Sequence, residues 1–370
     1  MKKIILYAVC VALMSINAIP LFCCTSVIIS GKATASGRPV LFKHRDTGEL
    51  NNRIERFKGE KYDFIALVNY AWKTEPSAPL RPGEGEAWTG TNSAGFSIMN
   101  TATYDLKDDN VPAEKMEREG IFMYRALEIC RNLADFETYL DTLARPMGVE
   151  ANFGVIDAEG GAAYYETNNH KWVKFDVNEI PSGYRIVTNF TETGRVKDRK
   201  GVDRYQITCA IFEGLSKEEL SQVDHKFLFN RISRSGKPIL REITSAAIAV
   251  EGVKAGGDPL QTVMWTLLGW PETAVYVPLM VMDSDHLPFY VEGDPQTSKA
   301  LMCDNALKMK PQDLSEICRK TEQFVDGQFD MLYNGWVDGS LSSPYFLRGY
   351  GILLENYYNV YSNNFAQYLR

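Results

Sequence analysis

Runs and alternations of apolar residues divide the chain into β-rich and helix-rich stretches. Residues 24–30 carry the β-branched run Val27-Ile28-Ile29, residues 32–37 are turn-rich, and residues 39–45 are again strand-like. This is the pattern of a β-hairpin. Strands are also expected over 62–70 and 96–100, with a Pro/Gly-rich loop at 76–85 and a turn at 92–95. Residues 120–133 then place Ile121, Tyr124, Leu127 and Cys130 at helical spacing, and residues 135–143 repeat it with Phe136, Tyr139, Leu140 and Leu143. Segments 152–157 and 162–166, joined by Ala158-Glu159-Gly160-Gly161, form a second hairpin with strong turn chemistry. Further strands are expected over 171–176, 184–189, 262–266 and 274–282, helices over 204–215 and 216–228, and a mostly helical tail over 311–370. Segments 47–62, 73–88 and 104–118 are assigned to loops. Strands, helices, strands and helices in that order predict a layered α/β domain, not a βαβ relay.

The N-terminus changes the picture of where the folded chain begins. Lys2-Lys3 precedes an apolar stretch, 4–14, that is too short to span a bilayer, and small residues follow at Ser15 and Ala18. This is the order of a secretory signal, with an uncleaved anchor or a buried first helix as the competing readings. The 370 residues, 45% hydrophobic and 24% charged, have an ordinary globular composition and length for one large or two modest domains. A net charge of -7 gives no basic footprint, so neither nucleic acid nor an anionic membrane surface is an expected partner. Cys10, Cys23, Cys24, Cys130, Cys209, Cys303 and Cys318 are scattered, without CxxC or zinc spacing. Pairing of Cys303 with Cys318 and separate buried thiols both stand open.

Common catalytic constellations are missing. There is no G-x-S-x-G, P-loop, H-E-x-x-H or G-x-G-x-x-G, and the spacing of His44, His170, His225 and His286 recommends none as the partner of a cysteine. That leaves a nucleophile able to work without a histidine. A chain-terminal cysteine is one, because its own α-amine, with a reference pKa of ~8, accepts the thiol proton near neutral pH. Such a cysteine needs a carboxylate for the amine, a cation for the thiolate and donors for the oxyanion. Asp46 and Lys43 lie at the end of the strand that pairs back onto Cys24. Strand parity sets them on opposite faces, so a bulge or the strand end near Asp46 is expected to bring both in. Arg45 shares the parity of Lys43 and is the alternative cation. The plain reading of residues 43–46 is a solvated, charged strand end. Trp265, Trp270 and Tyr276 are assigned to core packing ahead of a substrate pocket.

Cys24-Thr25-Ser26 and Lys43-His44-Arg45-Asp46 together resemble the start of the choloylglycine hydrolase group of N-terminal-nucleophile hydrolases. That group includes the penicillin V acylases, and acyl-coenzyme A:6-aminopenicillanate acyltransferase-like enzymes are similar to it. Asp46 matches the group's Arg-x-x-Asp, whereas Lys43 replaces the arginine and loses its bidentate fork. Three further segments follow in the group's order. Residues 92–100, ending at Asn100, resemble its Asn-x-x-Gly-Leu stretch. Val187-Thr188-Asn189 resembles its Leu-Thr-Asn, and Arg204 its downstream arginine.

The resemblance implies a four-layer αββα sandwich of antiparallel sheets over 24–300, with a helical extension at 301–370 packed on the same domain. Residues 1–23 would be signal and possible short propeptide, the latter removed autocatalytically if the signal is cut after Ala18 and absent if it is cut after Cys23. It also implies an exported amidase, periplasmic or secreted, that needs no metal or cofactor and is a homo-tetramer with no stable membrane insertion. Cys24 would form a thioester with a small linear amide, such as a bile salt, penicillin V or an N-acyl amino acid. Asp46 would orient the amine, Lys43 or Arg45 with Arg204 would supply positive charge, and Asn189 and Asn100 would meet the oxyanion. Acyltransferases and dipeptidases with an N-terminal cysteine are similar alternatives. Leu21-Phe22-Cys23 leaves a lipid-anchored binding protein as an alternative of another class.

Overall fold

The first hairpin forms where the apolar pattern places it, from β1 (Thr25–Ile29) and β2 (Val40–Asp46), with Val27 opposite Phe42 and Ile29 opposite Val40. The computed structural model describes residues 23–69, 85–106, 110–282 and 311–368. The leader, Cys303 and His286 lie outside the described residues, as do parts of the 73–88 and 104–118 segments. No helix among the described residues is long and apolar enough to cross a membrane.

Among the described residues, two antiparallel sheets face each other. The first, sheet A, has six strands. Its order runs from β10 (Tyr184–Val187) through β1, β2, β11 (Thr244–Glu251) and β12 (Val263–Leu268) to β13 (Val277–Leu279). The second, sheet B, has seven strands in simple sequence order. They are β3 (Asn52–Phe57), β4 (Phe64–Asn69), β5 (Thr89–Asn92), β6 (Ser97–Ala102), β7 (Ala151–Ile156), β8 (Ala162–Thr167) and β9 (Trp172–Asp176).

Alternation along sheet B sorts its side chains cleanly. Ile54, Ile65, Leu67, Met99 and Tyr164 join Ile28 of sheet A in the central core. Their neighbours Phe64, Ala66, Ile98, Phe153 and Tyr165 form a second core beneath α1 (Glu119–Ile129) and α2 (Leu133–Thr142). The sheets approach closely at Gly154. A Cβ there would lie 2.4 Å from Met99 Cε and 3.1 Å from Ile28 Cδ1. On the far side of sheet A lie α3 (Val202–Glu213), α4 (Lys217–Ser221), α5 (His225–Leu228) and a π-helical turn (Phe229–Ser233). The long helices α6 (Pro311–Val337) and α7 (Ser343–Tyr368) cover the same side. The layers are therefore helix, sheet, sheet, helix, with a helical region after them, as the resemblance implies.

Three expectations are corrected. Segment 47–62 is not all loop, because it contains β3, whose Ile54 and Phe57 are buried on opposite faces. The Ala-rich stretch Thr244–Glu251 was not expected as a strand, yet it is β11, central in sheet A. Alanines that favour helix in isolation serve here because both faces are covered. The helix expected over 216–228 is two short helices, with Asp224 capping the second through Phe227 N. Trp265 and Tyr276 lie in the core, and Cys318 is a buried free thiol.

The α6–α7 hairpin is fastened to the domain by buried charges. His225 stacks on Trp265 at 3.5 Å and bridges Glu251 Oε1 of β11 (2.7 Å) and Asp326 Oδ1 of α6 (3.1 Å). Burial alone would lower the pKa of this imidazole, but the two carboxylates outweigh it and raise it to about 9. Nearby, Arg234 grips Glu322 of α6 through both terminal guanidinium nitrogens, at 2.6 and 2.9 Å.

Candidate active site

Cys24 lies immediately before β1 at one end of the sandwich and is buried. Thr25 pairs with His44, so continuing the register sets Cys24 opposite Arg45 and Cys23 opposite Asp46. Cys23 N donates to Asp46 O at 3.3 Å, which agrees with that alignment. On the other flank Ser26 pairs with Val187, and the same continuation sets Cys24 beside Asn189. The thiol shares the face of Ser26 and Ile28, which points into the gap between the sheets.

Lys43 and Arg45 point into the same gap. Lys43 Nζ crosses to sheet B and donates to Trp88 O (2.5 Å) and Asn100 Oδ1 (2.7 Å). Arg45 reaches Asn52 Oδ1 and, at 2.8 Å, Asn69 Oδ1, and lies 5.2 Å from the Trp88 ring. Burial drives the Lys43 ammonium down to about 7, with Cys24 opposing the shift and Arg45 adding to it. Burial also lowers Arg45, to about 10. A lysine that titrates near neutrality beside a buried cysteine can carry a proton to or from the site. An arginine in the same place would remain a fixed charge.

Asp46 and His44 project to the opposite face. Asp46 Oδ1 accepts from Thr244 Oγ1 (2.7 Å) and lies 3.3 Å from His44 Nε2, while Asp46 Oδ2 is buried without a partner. His44 is tied in turn to Ser233 Oγ at 3.2 Å. The expected bulge exists, but it lies in β11 between Thr244 and Ala246, and it does not rotate Asp46 into the gap. Parity therefore holds, and cation and carboxylate stay on different faces. Asp46 therefore lies across the strand pair from Cys23, the residue before Cys24, and on the face of sheet A opposite the Cys24 thiol.

Arg204, on α3, closes the flank. Its Nη1 donates to Cys24 O and to Thr25 Oγ1 (2.9 Å), and its Nη2 donates to Asn189 Oδ1 (2.5 Å). Asn189 Nδ2 spends one hydrogen on Ala102 O (2.8 Å) and retains a second. Gly201 caps α3 with φ +74°, and a Cβ there would lie 2.3 Å from Arg204 Nη2. Only glycine suits that position. Asn100 is engaged through its carboxamide oxygen, as the anchor of Lys43.

The structure thus gathers all seven residues singled out in the sequence, Cys24, Lys43, Arg45, Asp46, Asn100, Asn189 and Arg204, around one strand end. Sequence reasoning missed Thr244, the Trp88 carbonyl and the role of His44. Thr244 lies on the strand whose composition hid it, and a backbone carbonyl leaves no sequence signal. Among the described residues there is no cluster of His, Cys, Asp or Glu able to hold a metal.

No protein-family model and no curated protein matches this sequence. Solved structures do match it. A Caenorhabditis elegans N-acylethanolamine-hydrolyzing acid amidase ortholog aligns over 64% of this chain and 92% of its own, at 12% identity and a TM-score of 0.45. A conjugated bile acid hydrolase from Clostridium perfringens aligns over 71% and 93%, at 10% identity and a TM-score of 0.44. Penicillin V acylase from Agrobacterium tumefaciens aligns over 70% and 87%, at 12% identity and a TM-score of 0.43. The likeness is one of fold.

Proposed function

We propose that the chain is an exported cysteine amidase of the N-terminal-nucleophile type, which hydrolyses a linear amide through a thioester on Cys24. The observation that supports this most is the two-faced arrangement at one strand end. The Cys24 thiol shares the gap with the buried Lys43 and Arg45, and on the other face Asp46, with an unpartnered buried oxygen, stands across from Cys23. Once the bond to Cys23 is cut, Asp46 Oδ2 accepts a hydrogen bond from the new amine. The amine takes the thiol proton, Lys43 and Arg45 stabilise the thiolate, and sulfur attacks the amide carbonyl. Asn189 Nδ2, held by Arg204, donates to the oxyanion, with Asn100 on the side of Lys43. The amine then protonates the departing amine and activates water to release the acid. The substrate class is a small N-acyl amide, met in the periplasm or outside the cell.

The test joins the mass of the mature N-terminus to a panel of amide substrates. A chain that begins at Cys24 and releases free acid and amine is the expected result. Cys24→Ser that matures normally and hydrolyses amides at the unaltered rate would sink the reading. Acyl transfer to an added amine in preference to water would reassign the reaction while keeping the nucleophile.

A further inference from the structure

On the carboxylate side of sheet A lies a cavity of about 530 Å³ from which the proposed chemistry draws only Arg204. Cys23 lines it, together with four cationic side chains, Lys200, Arg204, Lys237 and Arg241, and two carboxylates, Asp203 and Glu242. Cys23 is itself buried and held to Asp46 O through its N–H. Arg241 is half-buried. Burial disfavours its charge, but contact with the Cys23 thiol and the nearby Asp46 and Asp203 carboxylates hold it protonated. Lys200 and Lys237 are exposed, and neither forms an ion pair with a described residue. The cavity thus has an excess of positive charge around the residue whose carbonyl becomes a carboxylate on maturation.

We propose that this cavity is a carboxylate-binding site for the C-terminal end of the segment released when the Cys23–Cys24 bond is cut. The idea rests on the N-terminal-nucleophile reading. Cys24 Sγ attacks the Cys23 carbonyl carbon, the bond from that carbon to Cys24 N breaks, and the thiol proton passes to the nitrogen. Water then adds its hydroxyl to the acyl carbon and returns a proton to sulfur. The products are a Cys23 carboxylate and a free Cys24 amine. The carboxylate is born beside Arg204 and Arg241, where charge-assisted hydrogen bonds from guanidinium groups retain it. The released segment therefore acts as a product inhibitor, lying beside the new amine and Asp46.

The test uses the full chain after maturation, with its N-terminus verified by mass and released peptide removed by dialysis. Acetyl-Leu-Phe-Cys, matching residues 21–23, is titrated calorimetrically as the free acid and as the C-terminal amide, under reducing conditions. The acid is expected to bind at least tenfold tighter, and raising the salt should erode that advantage. Arg241→Gln should remove most of it, and Arg241→Lys should retain part. If the variants fold poorly, the salt series on the unaltered protein decides alone. Equal binding of acid and amide, or an advantage insensitive to salt, overturns the proposal and leaves the amidase standing. A mature chain that still carries Cys23 overturns both.

Discussion

Lys43 offers the sharpest test of the site, because its position makes a stability prediction with a definite sign. Its ammonium falls from 10.5 to about 7 in the folded protein, mainly through burial. Between those values the unfolded chain holds a proton that the folded chain does not, so folding stability rises with pH across this window. Below pH 7 both states are protonated and the folded state bears the whole penalty of the buried charge. At ~1.36 kcal/mol per pH unit that penalty amounts to roughly 5 kcal/mol.

The perturbation is Lys43→Met, compared with Lys43 in a Cys24→Ala background. On the proposed reading that background halts maturation, so both chains keep the same N-terminus, and no thiol stands at position 24. Removing the Cys24 thiol also removes a contribution that raises the Lys43 pKa, so the window opens somewhat lower. The methionine leaves Trp88 O and Asn100 Oδ1 without a donor, a cost that does not depend on pH. The quantity to follow is therefore the stability gap between the two chains, measured by urea denaturation from pH 6 to pH 9.5. The lysine chain should gain on the methionine chain by about 1.4 kcal/mol per pH unit above the folded pKa, or roughly 3 kcal/mol by pH 9.5. A gap constant to about 0.5 kcal/mol would show that Lys43 keeps its proton across the window, and the desolvation assigned to it would be refuted.

Three further outcomes are expected. His225 titrates with the opposite sign. Its stabilising contribution is complete below pH 6.5 and is lost as pH rises through about 9, a change of roughly 3 kcal/mol. His225→Gln should flatten that limb of the denaturation profile, and an unchanged limb would refute the clasp on α6. Arg234→Met, which leaves Glu322 buried and unpaired, should cost about 3–5 kcal/mol in chemical denaturation and loosen α6 in hydrogen exchange. Asn189→Ala should lower kcat by about 10²–10³-fold with little change in KM, as expected for a donor that acts on the developing oxyanion. An effect confined to KM would move Asn189 to substrate binding.

Lys43 and His225 also show why the wild-type pH profile is a poor guide. Their contributions overlap between pH 7 and about 9 and nearly cancel. Only differences between variants separate them.

Most of the architecture was legible in the chain. The hairpin at 24–45, the hairpin at 152–166, the helices near 120–143 and the helical tail follow from apolar spacing and turn residues, which act locally. The seven candidate residues that meet at one strand end were legible as short motifs in a fixed order. The sequence was silent on β11, because Thr244–Glu251 carries five small residues whose strand state comes from cover on both faces. It therefore could not show Thr244, which holds Asp46. Parity alone correctly separated Lys43 from Asp46, yet it suggested that something must bend to reunite them. Nothing bends. Only the assembled sheets show what each face meets, with Lys43 reaching across the gap to Asn100 and Asp46 held on the far side by Thr244. Likewise the residue identity of Lys43 was plain from the start, but its poise near neutrality was not. That poise comes from the desolvation imposed by two sheets closing over it, a property of the folded protein that no local pattern encodes.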